Sequence, residues 1–263
     1  MISAIRTYPV PVHFVNGRQH LQIRELCGTD EQAVAGTSTG DAIDLIQGLV
    51  VIENPAEFSA SHLVPTDRDV ILSAIYERTY GSRIQGTMDC PECRAQYDFD
   101  FRLDDFREAI LSERETPALR FEGSQVFAKA DDLEFRLVNG SDELSIRGMD
   151  ADQASQVLLD RCCQDYDPDS AVDIEKIFAR LTPLLRSEVE SLCPECDSVH
   201  PVQFDMQHYL LSTLIQEQQY LAYEMHRIAS AYQWTPAEIL DLPRHLRKRY
   251  VALIENDIER GLT

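Results

Sequence analysis

The sequence predicts an α+β fold in which helices pack around two β-hairpins, and three observations carry that prediction. Two identical tetrapeptides, Cys90-Pro91-Glu92-Cys93 and Cys193-Pro194-Glu195-Cys196, each lie between strand-like runs. Several stretches repeat apolar residues at helical spacing, and a middle segment, roughly 116–147, reads as strand-rich. Four segments follow from this pattern: 1–63, an N-terminal extension with a hairpin; 64–115, a helix plus the first cysteine hairpin; 116–185, an inserted mixed segment; and 186–263, the second cysteine hairpin plus C-terminal helices.

In chain order, Asn16-Gly17 is a two-residue turn signal between VPVHFV and the alternating Leu21 and Ile23 run, which predicts a tight hairpin. The apolar stretch DAIDLIQGLVVI fits either a short helix or a buried strand. The Val64-Pro65 step or Thr66 starts a helix with Val70, Ile71, Ala74 and Ile75 on one face and Gly81 at its C-terminal cap. Tyr97, Phe99 and Phe101 then alternate with polar residues, so the first tetrapeptide sits in a hairpin turn, and LDDFREAIL returns to helix. Asp150 opens another helix, DIEKIFARL is a further one stopped near Pro183, and the second hairpin runs into a long helix from about 206 to 232. Leu210, Leu214, Leu221, Met225 and Ile228 share a face of that helix. Trp234 marks its end, and Thr235, Pro236 and Glu238 supply a cap, a first helical residue and a capping-box partner before a last helix near Pro243.

A C-x-x-C turn brings two sulfurs close enough to share a metal, but it supplies only half of the four-sulfur tetrahedron that structural zinc prefers. The two identical turns, roughly a hundred residues apart, complete it. Cys90, Cys93, Cys193 and Cys196 are therefore expected to bind one structural zinc ion, as in a zinc ribbon whose two knuckles are split by an inserted subdomain. Such a site contributes on the order of 10 kcal/mol to folding, and its closed shell leaves no position for substrate. The plainer alternative is a pair of metal-free turns with buried thiols. Thioredoxin-like chemistry is disfavoured, because it needs the first cysteine at a helix start.

The other cysteines read differently. Cys162 and Cys163 are adjacent on a helix, about 100° apart, and are expected to be buried as small apolar groups, as is the lone Cys27. His200, four residues after Cys196, is expected to be a strand residue and not a ligand. Seven cysteines, an odd number, fit thiols and metal ligands better than a disulfide framework.

The chain carries 45 Asp plus Glu against 24 Lys plus Arg, a formal net charge of -21, which repels nucleic-acid phosphates and anionic lipid. No apolar run suits a signal peptide or a membrane span, so the chain is expected to stay in the cytoplasm. There is no H-E-x-x-H, P-loop or dinucleotide fingerprint, and no catalytic residue is assigned. One basic cluster, Arg244, Arg247, Lys248 and Arg249, falls in the first turns of the last helix, where positive charge opposes the helix dipole. It reads either as an exposed face paired with the chain's own carboxylates or as a docking patch for an acidic protein surface.

The string VPTDRDVILSAIYERTYGSRIQGTMDCPECRAQYDFDF resembles the helix-to-knuckle segment of the T-even-like phage baseplate protein family, members of which also occur in contractile injection system gene clusters. CPECDSVHPVQFDMQHYL, followed by HRIASAYQWTPAEILDLPRHLRKRYVALIE, resembles the matching C-terminal end. The resemblance covers roughly 64–102 and 151–256. The paired C-P-x-C knuckles carry over onto Cys90, Cys93, Cys193 and Cys196, and the A-S-A-Y-x-W run onto Ala229, Ser230, Ala231, Tyr232 and Trp234. It implies a non-enzymatic structural or assembly component of a contractile tail baseplate, whose partners are other baseplate, hub or tail proteins rather than a small-molecule substrate, nucleic acid or membrane. Its expected place is the bacterial cytoplasm during assembly, with the mature particle as the alternative. A zinc-ribbon nucleic-acid-binding or transcription-associated adaptor is the runner-up, and a thiol-redox enzyme the third.

Overall fold

The structure, a computed structural model, describes residues 6–130, 133–163 and 173–260. It is mixed α+β, with small antiparallel sheets. The first sheet pairs β1 (Thr7–Pro11) with β2 (His20–Arg24), and the short strand β3 (Val50–Val51) adds to the edge of β2. Asn16-Gly17 does form the tip of a turn, closed by the Arg18 N–H donating to the Val15 carbonyl at 3.1 Å, with Gly17 at φ +67°. The tight hairpin expected there is nevertheless replaced by a wider loop, because the N–H groups of His13 and Phe14 leave the ladder and donate, at 2.8 Å each, to the buried carboxylate of Asp67.

Helices α1 (Gly28–Ala33) and α2 (Thr39–Leu49) follow. The ambiguous apolar stretch is resolved as a helix, with a two-residue, largely exposed edge strand after it in place of a buried one. Ser38 caps α2, whose Ala42, Ile43, Leu45, Ile46 and Leu49 turn inward at three-to-four spacing, and the β-branched Val50 and Val51 then leave the helix to join the sheet.

Helix α3 (Pro65–Tyr80) begins with proline at its first position and ends at Gly81, whose φ of +90° suits a residue without a Cβ. Its first turn reads as polar, yet Thr66, Asp67, Arg68 and Asp69 are all buried. Each one anchors a distant segment. Asp67 holds residues 13 and 14; the Thr66 hydroxyl donates to the Pro183 carbonyl at 2.9 Å; Asp69 accepts from the Leu185 N–H at 3.0 Å. Arg68 pairs with Glu143 of α5 (Gly140–Ser145).

Beyond α3 the chain forms the hairpin β4 (Arg83–Asp89) and β5 (Gln96–Arg102), then α4 (Leu103–Ser112). The inserted segment holds a three-stranded meander, β6 (Leu119–Glu122), β7 (Gln125–Ala130) and β8 (Leu133–Arg136), with α5, α6 (Ala151–Cys162, capped by Asp150) and α7 (Ile174–Leu181). It has its own core, in which Phe135, Leu137, Ile177 and Leu181 pack with Phe14 and Val64 from the N-terminal side. The second hairpin, β9 (Arg186–Leu192) and β10 (Val199–Asp205), leads into α8 (Met206–Tyr232), followed by α9 (Pro236–Leu240) and α10 (Arg244–Glu259).

The main core joins residues from both ends of the chain: Val10, Leu21, Ile23, Ile46 and Leu49 lie with Ile71, Leu72 and Ile75 of α3 and Leu210, Leu211 and Leu214 of α8. The N-terminal segment is thus built into the main body. Each fully buried aliphatic side chain there contributes roughly 1.5–3 kcal/mol. Among the described residues, no helix is long and apolar enough to cross a membrane.

Burial pushes the Asp69 carboxyl up to about 7, against the pull of Arg68 and of the Leu185 amide. In the unfolded chain the same carboxyl titrates in the ordinary range, near 4. Between those two values the native state binds the proton more tightly, so Asp69 lowers stability as pH rises through that window and has no further effect above it. Asp69→Asn is expected to gain on the wild type by up to about 4 kcal/mol from pH 4 to pH 7.5. Urea unfolding at a series of pH values measures the difference; a constant offset would mean that Asp69 ionises normally.

Candidate metal centre

The two cysteine hairpins are built alike. β4 and β5 pair from Arg83 opposite Arg102 to Asp89 opposite Gln96, and β9 and β10 pair from Arg186 opposite Asp205 to Leu192 opposite Val199. At the first tip the Cys90 N–H donates to the Ala95 carbonyl at 2.9 Å, and the Arg94 N–H to the Cys90 carbonyl at 2.8 Å. At the second the Cys193 N–H donates to the Ser198 carbonyl at 2.9 Å, and the Asp197 N–H to the Cys193 carbonyl at 3.0 Å. Arg94 and Asp197, each directly after the second cysteine of its turn, are left-handed with φ of +62° and +57°. That conformation costs a non-glycine residue about 1 kcal/mol, and it closes both turns in the same shape.

At their bases the hairpins meet in an aromatic cluster. Phe204 of β10 lies edge-on to Phe101 of β5 and to Phe106 of α4, at centroid distances of 5.0 and 5.1 Å. Within the first hairpin Gly86 sits opposite Phe99, whose ring would lie 2.5 Å from a Cβ at that position, so only glycine lets the ring fold across the strand.

At the tips the ligand atoms of Cys90, Cys93, Cys193 and Cys196 all lie within 4.8 Å of one another. Two contacts cross between the hairpins, Cys90 to Cys196 and Cys93 to Cys193, both at 3.7 Å. All four are free thiols, far beyond the roughly 2.05 Å of a disulfide. Each turn gives one buried sulfur, Cys90 or Cys193, and one exposed sulfur, Cys93 or Cys196.

The electrostatics of the cluster are uneven. The Cys93 amide, with help from the Ser198 hydroxyl and the Glu92 amide, draws the Cys90 thiol down to about 5. At Cys93 the Ala95 amide pulls the same way, but desolvation and the crowding of the other three sulfurs outweigh it and leave that thiol pushed up to about 12. One thiolate forms readily and the last resists ionisation, as four negative sulfurs at this range require a cation. The cluster can hold a metal ion.

No known family, curated protein or solved structure matches this chain.

Two neighbours of the sulfurs carried no ligand assignment from sequence. Ser198 Oγ lies 3.0 Å from Cys196 Sγ and 3.5 Å from Cys90 Sγ, and His200 Nε2 lies 3.4 Å from Cys90 Sγ and 2.8 Å from Ser198 Oγ. His200 is on strand β10, as its pattern implies, but its ring also reaches across to the sulfur of the first hairpin. Cys196 and Ser198 lie in the turn before β10, where Asp197 is left-handed, and only His200 belongs to the strand, so strand periodicity alone does not bring the three together. Cys27, Cys162 and Cys163 lie outside the cluster and are buried. Burial pushes the thiols of Cys162 and Cys163 up to about 12 and about 11, which keeps both protonated.

The basic cluster of the last helix divides. Lys248 and Arg249 are exposed, but Arg247 is fully buried and Arg244 nearly so. Arg247 donates to Glu31 at 2.7 Å, to Glu224 at 2.9 Å and to the Leu242 carbonyl at 2.7 Å; Arg244 pairs with Glu31 at 3.1 Å and with Glu217. A single surface formed by all four is therefore corrected: two of them point inward, drawn by carboxylates on α1 and α8 that lie far away in sequence. Arg247→Ala leaves Glu31 and Glu224 buried without their main partner and is expected to cost about 3–5 kcal/mol of unfolding free energy. Lys248→Ala and Arg249→Ala should stay within about 0.5 kcal/mol. Equilibrium denaturation of the three variants checks the division.

Proposed function

We propose that one zinc ion occupies the four-sulfur cluster, and that the chain is a structural or assembly component of the baseplate of a contractile phage tail or contractile injection system. The observation that carries the zinc is the convergence of two matching tips from hairpins that belong to separate sheets. With Zn–S bonds of about 2.3 Å, a tetrahedron has sulfur–sulfur edges of about 3.8 Å. The two contacts of 3.7 Å fit it. Four thiolates close the coordination shell, so the ion serves as a joint and not as a Lewis acid for chemistry. Ser198 and His200 sit where outer-shell partners of the sulfurs belong. The arrangement is a zinc ribbon divided between two distant parts of one chain.

The baseplate setting rests on the resemblance of residues 64–102 and 151–256, which contain α3, both cysteine hairpins and the three C-terminal helices. A metal-jointed, strongly acidic chain suits a non-enzymatic scaffold that meets other baseplate, hub or tail proteins in the bacterial cytoplasm. The same charge disfavours the nucleic-acid adaptor, which salt-sensitive retention on DNA or RNA would restore.

Elemental analysis of the purified chain is expected to give about one zinc per chain. Cys193→Ser should lose it, and a strong chelator should unfold the protein or separate its hairpins. A well-folded, metal-free preparation indifferent to chelator would end the zinc reading. For the setting, deleting the gene in a cell that builds contractile particles is expected to leave tails without a complete baseplate under the electron microscope. Normal particles from the deletion strain would remove this chain from the assembly.

A further inference from the structure

A cleft of about 400 Å³ opens where the start of α10 meets β1, the loop after β2 and the last turns of α3. Its walls carry Arg6, Arg78 and Lys248, three exposed cations in a chain whose net charge is -21. Among the described residues none of the three has a carboxylate within ion-pair distance. This contrasts with Arg244 and Arg247 close by, which carboxylates of α1 and α8 neutralise. The Arg78 guanidinium instead lies over the Tyr8 ring, 5.0 Å from its centroid. The one carboxylate in the lining, Glu25, faces His245 with Oε2 and Nδ1 3.6 Å apart, too far for a hydrogen bond, so its buried Oε2 is an acceptor without a partner that the remaining acidic proton of a phosphate monoester, or a hydroxyl of its organic part, can satisfy.

A second observation points to a ligand. Arg244, nine-tenths buried, also lines the cleft, and its Nε has no hydrogen-bond partner although its other nitrogens are bonded to Glu31 and Glu217. The first turn of α10 lies at the same place, so the positive end of a sixteen-residue helix adds to the field. Lys248 and its neighbours work against that helix end unless an anion sits between them.

We propose that this cleft binds a phosphate monoester. Three unpaired cations less the charge of Glu25 leave about two positive charges, and a phosphate monoester carries about −1.5 to −2 near neutral pH, whereas a single carboxylate carries one. Guanidinium groups match phosphate oxygens in paired hydrogen bonds. The volume lies within the range of small-ligand sites, and the Tyr8 ring and Leu26 offer apolar surface for the organic part of the ester. Longer polyanions are excluded by the acidity of the surrounding chain. The ester can come from a small phosphorylated metabolite or from a phosphorylated side chain of a partner protein.

Isothermal titration calorimetry on the full chain, at constant ionic strength, tests the site with glucose 6-phosphate, a phosphoserine peptide and glutamate. Saturable binding of at least one of the first two, with glutamate much weaker, is expected. Tighter binding of glucose 6-phosphate identifies a metabolite site, and tighter binding of the peptide a modified partner. Arg78→Gln and Lys248→Gln should each weaken binding by about tenfold or more with an unchanged melting temperature. Lys176→Gln, the same change of charge on α7, should bind as the wild type does. The proposal is overturned if neither phosphate ligand saturates, if glutamate binds equally well, or if both cleft variants keep wild-type affinity. Neither result bears on the zinc, because the cysteine cluster lies outside the lining of this cleft.

Discussion

The two cysteine hairpins belong to separate two-stranded sheets and share no backbone ladder, so what fixes one against the other is contact at their two ends. The aromatic cluster around Phe204 secures the bases, which pack onto the main core. Among the described residues, the buried apolar cluster at the tips consists of Cys90, Cys193 and Tyr97, with Met88 beside them. The seven-residue strands are about 23 Å long, and beyond the basal residues that join the main core, such as Ile84 and Phe204, little apolar surface is buried. A two-stranded hairpin is marginal alone in water. The convergence of four sulfurs is therefore the constraint that holds the tip of one hairpin against the tip of the other.

Charge is used inside the molecule in a way that composition does not reveal. Asp67, Asp69 and Arg68 bind the first loop, the entry to β9 and α5 to a single helical turn. Glu31, Arg247, Arg244 and Glu224 join α1, α8 and α10 across the C-terminal end. Buried ion pairs of this kind add little net stability over apolar packing, but they penalise every arrangement that leaves one member unpaired. They specify which segments meet. In a chain this acidic, placing arginines at these junctions also relieves repulsion between carboxylates that must lie close together.

Much of this was legible in the sequence where a local rule was sufficient. The boundaries of α8, the Thr235 capping box, the proline start and glycine end of α3 and both cysteine hairpins follow from spacing and caps alone. The meeting of Cys90 and Cys93 with Cys193 and Cys196 was readable because the two tetrapeptides are identical. Long-range polar contacts were not. Asp67 looks like an ordinary first-turn acid, and nothing local shows that it captures the amides of His13 and Phe14 and so widens the first hairpin. Arg247 looks like one cation of an exposed run, and only the fold brings Glu31 to it. Ser198 and His200 fall between these cases: their closeness to Cys196 along the chain is visible, but the nearness of Cys90 is not.

The separation of the two knuckles along the chain also bears on biosynthesis. At about 5–20 residues per second, translation needs roughly 5–20 s to go from the first tetrapeptide to the second. During that interval the nascent chain carries an unfinished half-site of two thiols, and the main core lacks the strands and helix contributed by later residues. The meeting of the four sulfurs is thus a high-contact-order event, and it requires that the second hairpin has left the ribosome. A truncated product lacking the second hairpin would carry a lone pair of thiols and no means of locking it.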